Sequence, residues 1–113
     1  MEEEIRGEEI REKEIIQFIG LNELDELAQS KVNELCTSYH DKIKRLIHNV
    51  TSFKIHIKQH SNDGGRINYS VNIKAIAPTK IFEVEKDEWD IALVMHKSFR
   101  ALYNEIEHHL NSK

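Results

Sequence analysis

The sequence contains few of the residues that crosslink, bend or anchor a chain. Its 113 residues include one cysteine, Cys36, and one proline, Pro78. A single cysteine excludes an internal disulfide and therefore the disulfide-stapled secreted scaffolds. No apolar run approaches the roughly 18 residues that a membrane-spanning helix requires. The first residues, MEEEIRGEEIREKE, are acidic and have no apolar core, so they predict no signal peptide. We therefore expect a cytoplasmic protein without a membrane partner.

Acidic residues are concentrated at the N-terminus. Residues 1–14 contain seven acidic and three basic residues, whereas the remaining chain contains 13 of each. A body without net charge neither requires nor excludes nucleic acid, so the clustering of its positive charges becomes decisive. We predict that residues 1–13 form a solvated acidic extension or, in the alternative interpretation, a polyanion mimic that covers a basic surface. Residues 14–113 are predicted to form a single domain, because this length supports one modest core.

The N-terminal half predicts a strand followed by a long helix. Residues 14–20, EIIQFIG, are a short apolar run closed by glycine, which is typical of a strand. Asn22 is predicted to cap the helix that follows. Apolar residues then recur at intervals of three and four along one helical face. They are Leu24, Ala28, Val32, Leu35, Tyr39, Ile43, Leu46 and Val50. Cys36 lies beside this stripe, and we interpret it as a small core residue rather than a nucleophile.

In the next segment the apolar period changes from that of a helix to that of a strand. Phe53, Ile55 and Ile57 alternate with polar residues, which predicts a half-buried strand. Residues 61–65, SNDGG, predict a hairpin turn. A second strand is predicted beyond it, with alternate apolar residues Ile67, Tyr69, Val71, Ile73 and Ala75. A turn at Pro78 then leads to a third strand over residues 81–85.

A second long helix is predicted at the end of the chain. Asp87 is its predicted N-cap. Its apolar face comprises Ala92, Met95, Phe99, Leu102, Ile106 and Leu110. The resulting order, βαβββα, predicts an α+β fold: a two-layer sandwich with both helices on one face of a mainly antiparallel sheet. The other face would be polar and partly basic, and open to solvent or to a flat partner. Its residues would be Lys54, His56, Lys58, Asn68, Ser70, Asn72 and Lys74.

The sequence offers no catalytic or metal-binding pattern. Glu105, His108 and His109 have helical spacing, but neither HExxH nor HxxEH is present. We interpret these histidines as residues favoured at a helix C-terminus. Tyr69 and Tyr103 are interpreted as core-edge residues, with stacking on nucleic-acid bases as the alternative. We expect no enzyme activity, no catalytic residues, no metal, no cofactor and no small-molecule substrate.

Basic residues occur on both predicted helices. Lys42, Lys44 and Arg45 lie near the end of the first helix, and Lys97 and Arg100 lie on the second, away from its apolar face. Helices lying side by side would join these residues into one positive surface suited to RNA phosphates. The alternative is a mixed-charge solvated face, because acidic residues are interspersed. These are Glu34, Asp41, Glu105 and Glu107.

Two short motifs carry a family resemblance. Residues 87–93, DEWDIAL, place an acidic residue, an aromatic residue and an alanine at the start of the last helix, and residues 16–20 read IQFIG. Together with the element order, they resemble the ribosome hibernation-promoting factor family, also known as ribosome-associated inhibitor or light-repressed proteins. Trp89 stands where that family usually has tyrosine. The resemblance spans roughly residues 14–112. The double-stranded-RNA-binding domain has a similar layout, but its lysine-rich start of the last helix is absent here.

The resemblance implies a βαβββα fold and a non-enzymatic role. Such proteins bind the small ribosomal subunit near the decoding region, where they block mRNA and tRNA and preserve idle ribosomes under stress. By position, the rRNA-binding residues would be Lys42, Lys44, Arg45, Lys97 and Arg100.

Two departures from the family indicate a divergent branch: fewer basic residues on the helices and an acidic N-terminal extension. We expect a short form without the C-terminal dimerisation domain of the long forms, and we leave a weak homodimer open. The alternative function is a protein-interaction module of the same fold, without an RNA partner, that uses the exposed sheet face or the acidic extension.

Overall fold

The computed structural model describes residues 15–47 and 52–111. The predicted acidic extension, residues 1–13, and Val50 lie outside the described residues, and the division into an extension and one domain over residues 14–113 stays a prediction. Six main elements follow in the predicted order. They are β1 (Ile15–Ile19), α1 (Glu26–Leu46), β2 (Ser52–Ser61), β3 (Ile67–Ala77), β4 (Lys80–Glu88) and α2 (Ile91–Asn111). Neither of these helices is long and apolar enough to cross a membrane.

The sheet has the strand order β1-β2-β3-β4, with β1 parallel to β2 and the other pairs antiparallel. A parallel pair requires a crossover connection, which α1 supplies. Strands β1, β2 and β4 therefore run in the same direction. Because α1 follows β1 and α2 follows β4, both helices start at the same end of the sheet and run parallel to each other. The α+β sandwich predicted from the sequence is confirmed.

The core lies between the two helices and one face of the sheet. Alternate residues of the strands point into it, as the period of two predicted. The buried strand residues are Phe53, Ile55, Ile57, Val71, Ile73, Ala75, Ala77 and Phe82. The helices bury an apolar stripe against them, in which Phe99 is 1% exposed. Burying a side chain of this size stabilises the fold by roughly 1.5 to 3 kcal/mol relative to leaving it exposed.

The apolar face of α2 is wider than predicted. Met95, Phe99, Leu102 and Ile106 are buried as expected, but Ala92 and Leu110 are only half-buried. The fully buried residues also include Val94 and Ser98. Since α2 packs on α1 as well as on β3 and β4, it buries more than one stripe. The Ser98 hydroxyl is enclosed without a hydrogen-bond partner among the described residues.

The predicted N-cap of α1 was wrong. Asn22 lies in a short 3-10 turn, Leu21–Glu23, which precedes the helix. Asp25 is the cap instead, because its Oδ1 atom accepts a hydrogen bond of 2.8 Å from the backbone N–H of Ala28. Several residues of this acidic segment are good caps, and only the path of the chain leaving β1 decides among them.

The predicted N-cap of α2 was also wrong. Asp87 lies within β4, opposite Ser70 of β3, and the pairing continues to Glu88. The helix begins only beyond this point, where Asp90 Oδ1 accepts a hydrogen bond of 3.0 Å from the backbone N–H of Leu93. Strand pairing with the long β3 therefore overrides the local capping preference of Asp87.

Cys36 is a core residue, as predicted, with 4% of its surface exposed. Burial raises the pKa of its thiol from 9.0 to about 12, because the apolar surroundings disfavour the thiolate. Its environment is thus the opposite of the one that activates a nucleophilic cysteine.

We expect the Cys36 thiol of the native protein to resist an aromatic disulfide reagent at pH 8 and to react only as fast as the chain unfolds. Between pH 9 and about 12 the unfolded chain loses a thiol proton that the folded chain retains, so the free energy of unfolding should fall with rising pH. Urea titrations across this interval would measure that fall. Cys36→Ala is the control, because it should lack this component. Rapid labelling of the folded protein would contradict the expectation.

Candidate functional site

The parallel helices meet at an aromatic junction. The Tyr39 ring of α1 stacks on the Phe99 ring of α2, with centroids 5.1 Å apart and the planes 4° from parallel. The Tyr39 hydroxyl also shares a hydrogen bond of 2.9 Å with Nδ1 of His96. These two contacts set Tyr39 level with Phe99. The next turns of both helices are then level as well, because Lys42 follows Tyr39 by three residues and Tyr103 follows Phe99 by four. Arg100 precedes Tyr103 by three residues and therefore neighbours it on α2.

A cleft of about 470 Å³ opens between the helices at this level. Its described lining consists of Tyr39 and Lys42 from α1 and of Arg100 and Tyr103 from α2. The Lys42 ammonium lies over the Tyr39 ring, 5.1 Å from its centroid, in cation–π geometry. We call this site the interhelical cleft. It joins one cation from each half of the predicted basic surface, and none of its described lining residues is a carboxylate.

Lys97 lies outside the interhelical cleft. Its ammonium pairs with the carboxylate of Glu88 at the end of β4. The surrounding depression also contains Glu85 and Asp87, and Arg100 stands on the border between it and the cleft. This part of the surface carries charges of both signs, because β4 contributes carboxylates opposite the helix cations. It therefore fits the alternative prediction of a mixed-charge solvated face rather than that of one positive surface.

The other two predicted site residues are near the C-terminal end of α1. Lys44 is half-buried and interacts within the protein. Arg45 is exposed and follows Lys42 by three residues, so the two lie on neighbouring turns. Of the five predicted residues, the structure thus unites Lys42 and Arg100 in the cleft, whereas Lys97 is directed to β4. Their roles as RNA contacts stay predictions.

The face of the sheet away from the helices is polar, as predicted. A depression of about 240 Å³ on this face is lined by His56, Lys58, Ser70, Asn72, Lys74, Glu83 and Glu85. The Asn72 side-chain amide donates a hydrogen bond of 2.9 Å to Glu83. The two glutamates were not predicted to lie on this face. Glu83 and Glu85 alternate with Phe82 and Val84, and this alternation could have placed the two glutamates on the polar face. Their carboxylates offset the basic character that was expected of this face.

The described residues contain no group of three or more His, Cys, Asp or Glu side chains that could hold a metal ion. His109, one of the three residues considered as metal ligands, instead meets the ring of Phe82 edge-on, with centroids 5.4 Å apart. Within the described part of the chain, the candidate functional site is therefore the interhelical cleft with its two cations.

The architecture has a solved counterpart. A scan against models of protein families and a search of curated proteins found no match for this chain. Among solved structures, the chain is similar to the N-terminal domain of Protein Y from Thermus thermophilus, with a TM-score of 0.58 and 14% identity. The similarity covers 86% of this chain and 99% of that domain. At this identity it shows a shared fold, and the function has to be argued from the residues of this chain.

Proposed function

We propose that this protein is a ribosome-associated hibernation factor that inhibits translation without catalysis. In this proposal it binds rRNA of the small subunit near the decoding region through its two helices. The resemblance of residues 16–20 and 87–93 to the hibernation-promoting factors supports the proposal, as does the fold shared with the Protein Y N-terminal domain. The observation that carries it is the interhelical cleft, where Lys42 and Arg100 meet without a carboxylate in the described lining.

The proposed binding is local rather than long-range. The whole chain has a net charge of −4, so its overall field does not attract RNA. Binding would come from short-range contacts between individual cations and phosphates, which release condensed counterions. Such contacts position a protein on RNA without reading its sequence. The affinity should therefore depend on a few named side chains and fall steeply with salt.

The cations should contribute unequally. Lys42 and Arg100 are the principal contacts in this proposal, because within the described residues neither is held in an ion pair. Arg45 extends the surface along α1. Lys97 contributes less, since Glu88 already neutralises its ammonium and RNA would have to displace that carboxylate.

Sedimentation with purified small subunits tests the proposal. We expect the full chain to co-sediment at about 50 mM salt and to be largely released at about 200 mM, because each phosphate contact adds roughly one unit to the slope of log affinity against log salt. Ribosome profiles of growing and starved cells would then show when the tagged protein is bound. Absence from small subunits at the lower salt concentration would refute the proposal.

A protein-interaction module without an RNA partner is the second candidate. It is favoured by two exposed isoleucines of the outer strands, Ile19 on β1 and Ile81 on β4, which are 45% and 57% exposed. Neither points toward the core, because their strand neighbours Phe18 and Phe82 do. Association that survives nuclease treatment and depends on Ile19 and Ile81 would favour this candidate over the ribosomal one.

Removing the partner of Lys97 should strengthen ribosome binding. We expect Glu88→Gln to raise the affinity about two- to fivefold, because exposed ion pairs are worth roughly 0.2 to 1 kcal/mol and the freed ammonium becomes available to phosphate. Titration of labelled protein with small subunits measures the change. Asp63→Asn in the hairpin turn is the matched control, since it removes one exposed carboxylate elsewhere and should change the affinity less. Equal effects of the two variants would show that Lys97 gains no phosphate contact.

A further inference from the structure

We propose that the interhelical cleft binds a single nucleoside monophosphate unit, with its phosphate on Lys42 and Arg100 and its base against the ring of Tyr103. In the RNA case the unit is one unpaired nucleotide extruded from its strand, and this case rests on the proposed ribosomal function. A free nucleotide has the same chemistry, so the experiment must separate the two sources.

The size of the cleft fits a whole nucleotide better than a phosphate alone. Its volume of about 470 Å³ is within the range of small-molecule sites, roughly 300 to 1,000 Å³. A phosphate group displaces only a few waters, each with a share of about 30 Å³, and would leave most of this space unfilled. A planar base with its sugar fills the remainder.

The walls of the cleft match the two parts of a nucleotide. Tyr103 offers an aromatic surface on which bases of any sequence can stack, whereas the Tyr39 ring is already engaged by Phe99 and the Lys42 ammonium. Lys42 and Arg100 supply positive charge, and the planar guanidinium of Arg100 can donate two parallel hydrogen bonds to one phosphate. One aromatic and one basic side chain come from each helix, so the site exists only where the helices meet.

The Tyr39 side of the cleft is held in place before any ligand arrives. Tyr39 is fixed by its stack on Phe99 and by its hydrogen bond to His96. Its ring in turn carries the Lys42 ammonium at 5.1 Å from the centroid. Less side-chain freedom is therefore lost when an anion binds, which favours affinity.

Charge distinguishes the cleft from its larger neighbour. The adjacent depression of about 590 Å³ shares Arg100 and also contains Lys86 and Lys97, but three carboxylates, Glu85, Asp87 and Glu88, offset these cations. The described lining of the interhelical cleft has two cations and no carboxylate. A base paired within a duplex cannot enter such a cleft, because its faces are covered by its stacked neighbours, so the site selects unpaired nucleotides.

The test measures binding of the full chain to a labelled single-stranded RNA hexamer, to the same hexamer with its bases removed, and to its duplex. We expect Tyr103→Leu to weaken binding of the intact hexamer about tenfold, since it removes the ring on which the base stacks, and to leave binding of the base-free hexamer unaffected. Arg100→Met should weaken both.

Tyr69→Leu on β3 is the control, because Tyr69 is also half-buried but belongs to the sheet. Circular dichroism of each variant establishes that it is folded, and Arg100→Met tests the phosphate part independently, since Arg100 is exposed.

Competition by adenosine monophosphate identifies the source of the unit. Tighter binding of adenosine monophosphate than of the hexamer assigns the site to free nucleotides, and tighter binding of the hexamer assigns it to an unpaired RNA residue. The proposal is overturned if Tyr103→Leu binds the intact hexamer like the wild type, or if the duplex binds as tightly as the single strand. If Tyr103→Leu binds the hexamer like the wild type and still co-sediments with ribosomes, the cleft is not a nucleotide site, but the proposed ribosomal function stands. If the protein binds the hexamer through Tyr103 but does not bind ribosomes, the cleft is a nucleotide site and the proposed ribosomal function is wrong.

Discussion

Replacing Gly20 with alanine is expected to lower the free energy of unfolding by about 3 kcal/mol or more, because two costs coincide at this position. The backbone has φ +90°, a conformation that L side chains rarely adopt. A Cβ atom would also lie 2.1 Å from the carbonyl oxygen of Ile57. That oxygen belongs to the backbone of β2, whose residue 57 pairs with Val71 in the centre of the sheet, so it cannot easily move away.

Gly65→Ala in the hairpin turn is the matched control. Gly65 has a similar φ of +84°, but no atom lies within 4 Å of the position that a Cβ would take. We expect it to lose only about 1 kcal/mol, the cost of the backbone conformation. The difference between the two variants then isolates the contact with Ile57. Equal losses would show that this close approach does not constrain the fold.

Urea denaturation followed by fluorescence measures both variants. Trp89, the single tryptophan, is 44% exposed and lies under the Arg66 guanidinium, 4.5 Å from the ring centroid. Unfolding separates this pair and should change the emission. Circular dichroism of the helices provides a second probe, and coincident transitions would justify the comparison of free energies.

The constraint at Gly20 gives a physical meaning to one of the motifs that carry the family resemblance. Residues 16–20 end β1 and turn into the 3-10 segment against β2. The parallel pairing of β1 with β2 fixes the crossover in which α1 runs. A loss of this turn would therefore also disturb the position of Lys42 relative to α2.

Periodicity, together with the turn residues between the strands, was enough to predict the architecture. Buried and exposed residues alternate in β2 and β3, and buried residues recur every three or four positions in α1 and α2. Each element therefore has one apolar face, and these faces pack together as the sheet and the two helices. The ends of the elements were less accessible. Strand β4 extends from the predicted residues 81–85 to Lys80–Glu88, because β3 is long enough to pair with it throughout. Pairing with a distant strand leaves no local trace in the sequence.

The interhelical cleft could not be predicted, although its residues were named. Lys42 and Arg100 were both proposed as RNA contacts, and Tyr103 was considered for base stacking. Which of these side chains meet depends on how far α1 is shifted along α2, and the stacking of Tyr39 on Phe99 decides that shift. The ion pair of Lys97 with Glu88 likewise depends on the extension of β4. The spacing of residues within one helix contains no information about the shift of α1 along α2 or about the length of β4.

Reversing the two cations of the cleft, in the double variant Lys42→Glu/Arg100→Glu, should abolish ribosome binding under conditions where the wild type is bound. We expect the affinity for small subunits to fall at least about 100-fold, because hydrogen bonds to charged groups contribute roughly 1.5 to 3 kcal/mol each and the new carboxylates repel phosphate. The two substitutions should not impair folding, since both side chains are exposed. Titration with labelled protein at low salt gives the affinities.

The matched control reverses two cations on the opposite face of the sheet, Lys54→Glu/Lys58→Glu. Both side chains are exposed and the net charge changes by the same amount, so an effect of overall charge would appear equally in the two variants. We expect the control to change the affinity only a few-fold, because exposed charges farther from the bound RNA than the Debye length, about 8 Å at physiological salt, are largely screened. The salt slope of the control should match that of the wild type, whereas that of Lys42→Glu/Arg100→Glu should be smaller by about two. Comparable losses in both double variants would mean that RNA binding senses the total charge of the chain, and the assignment to the helices would then have to be abandoned.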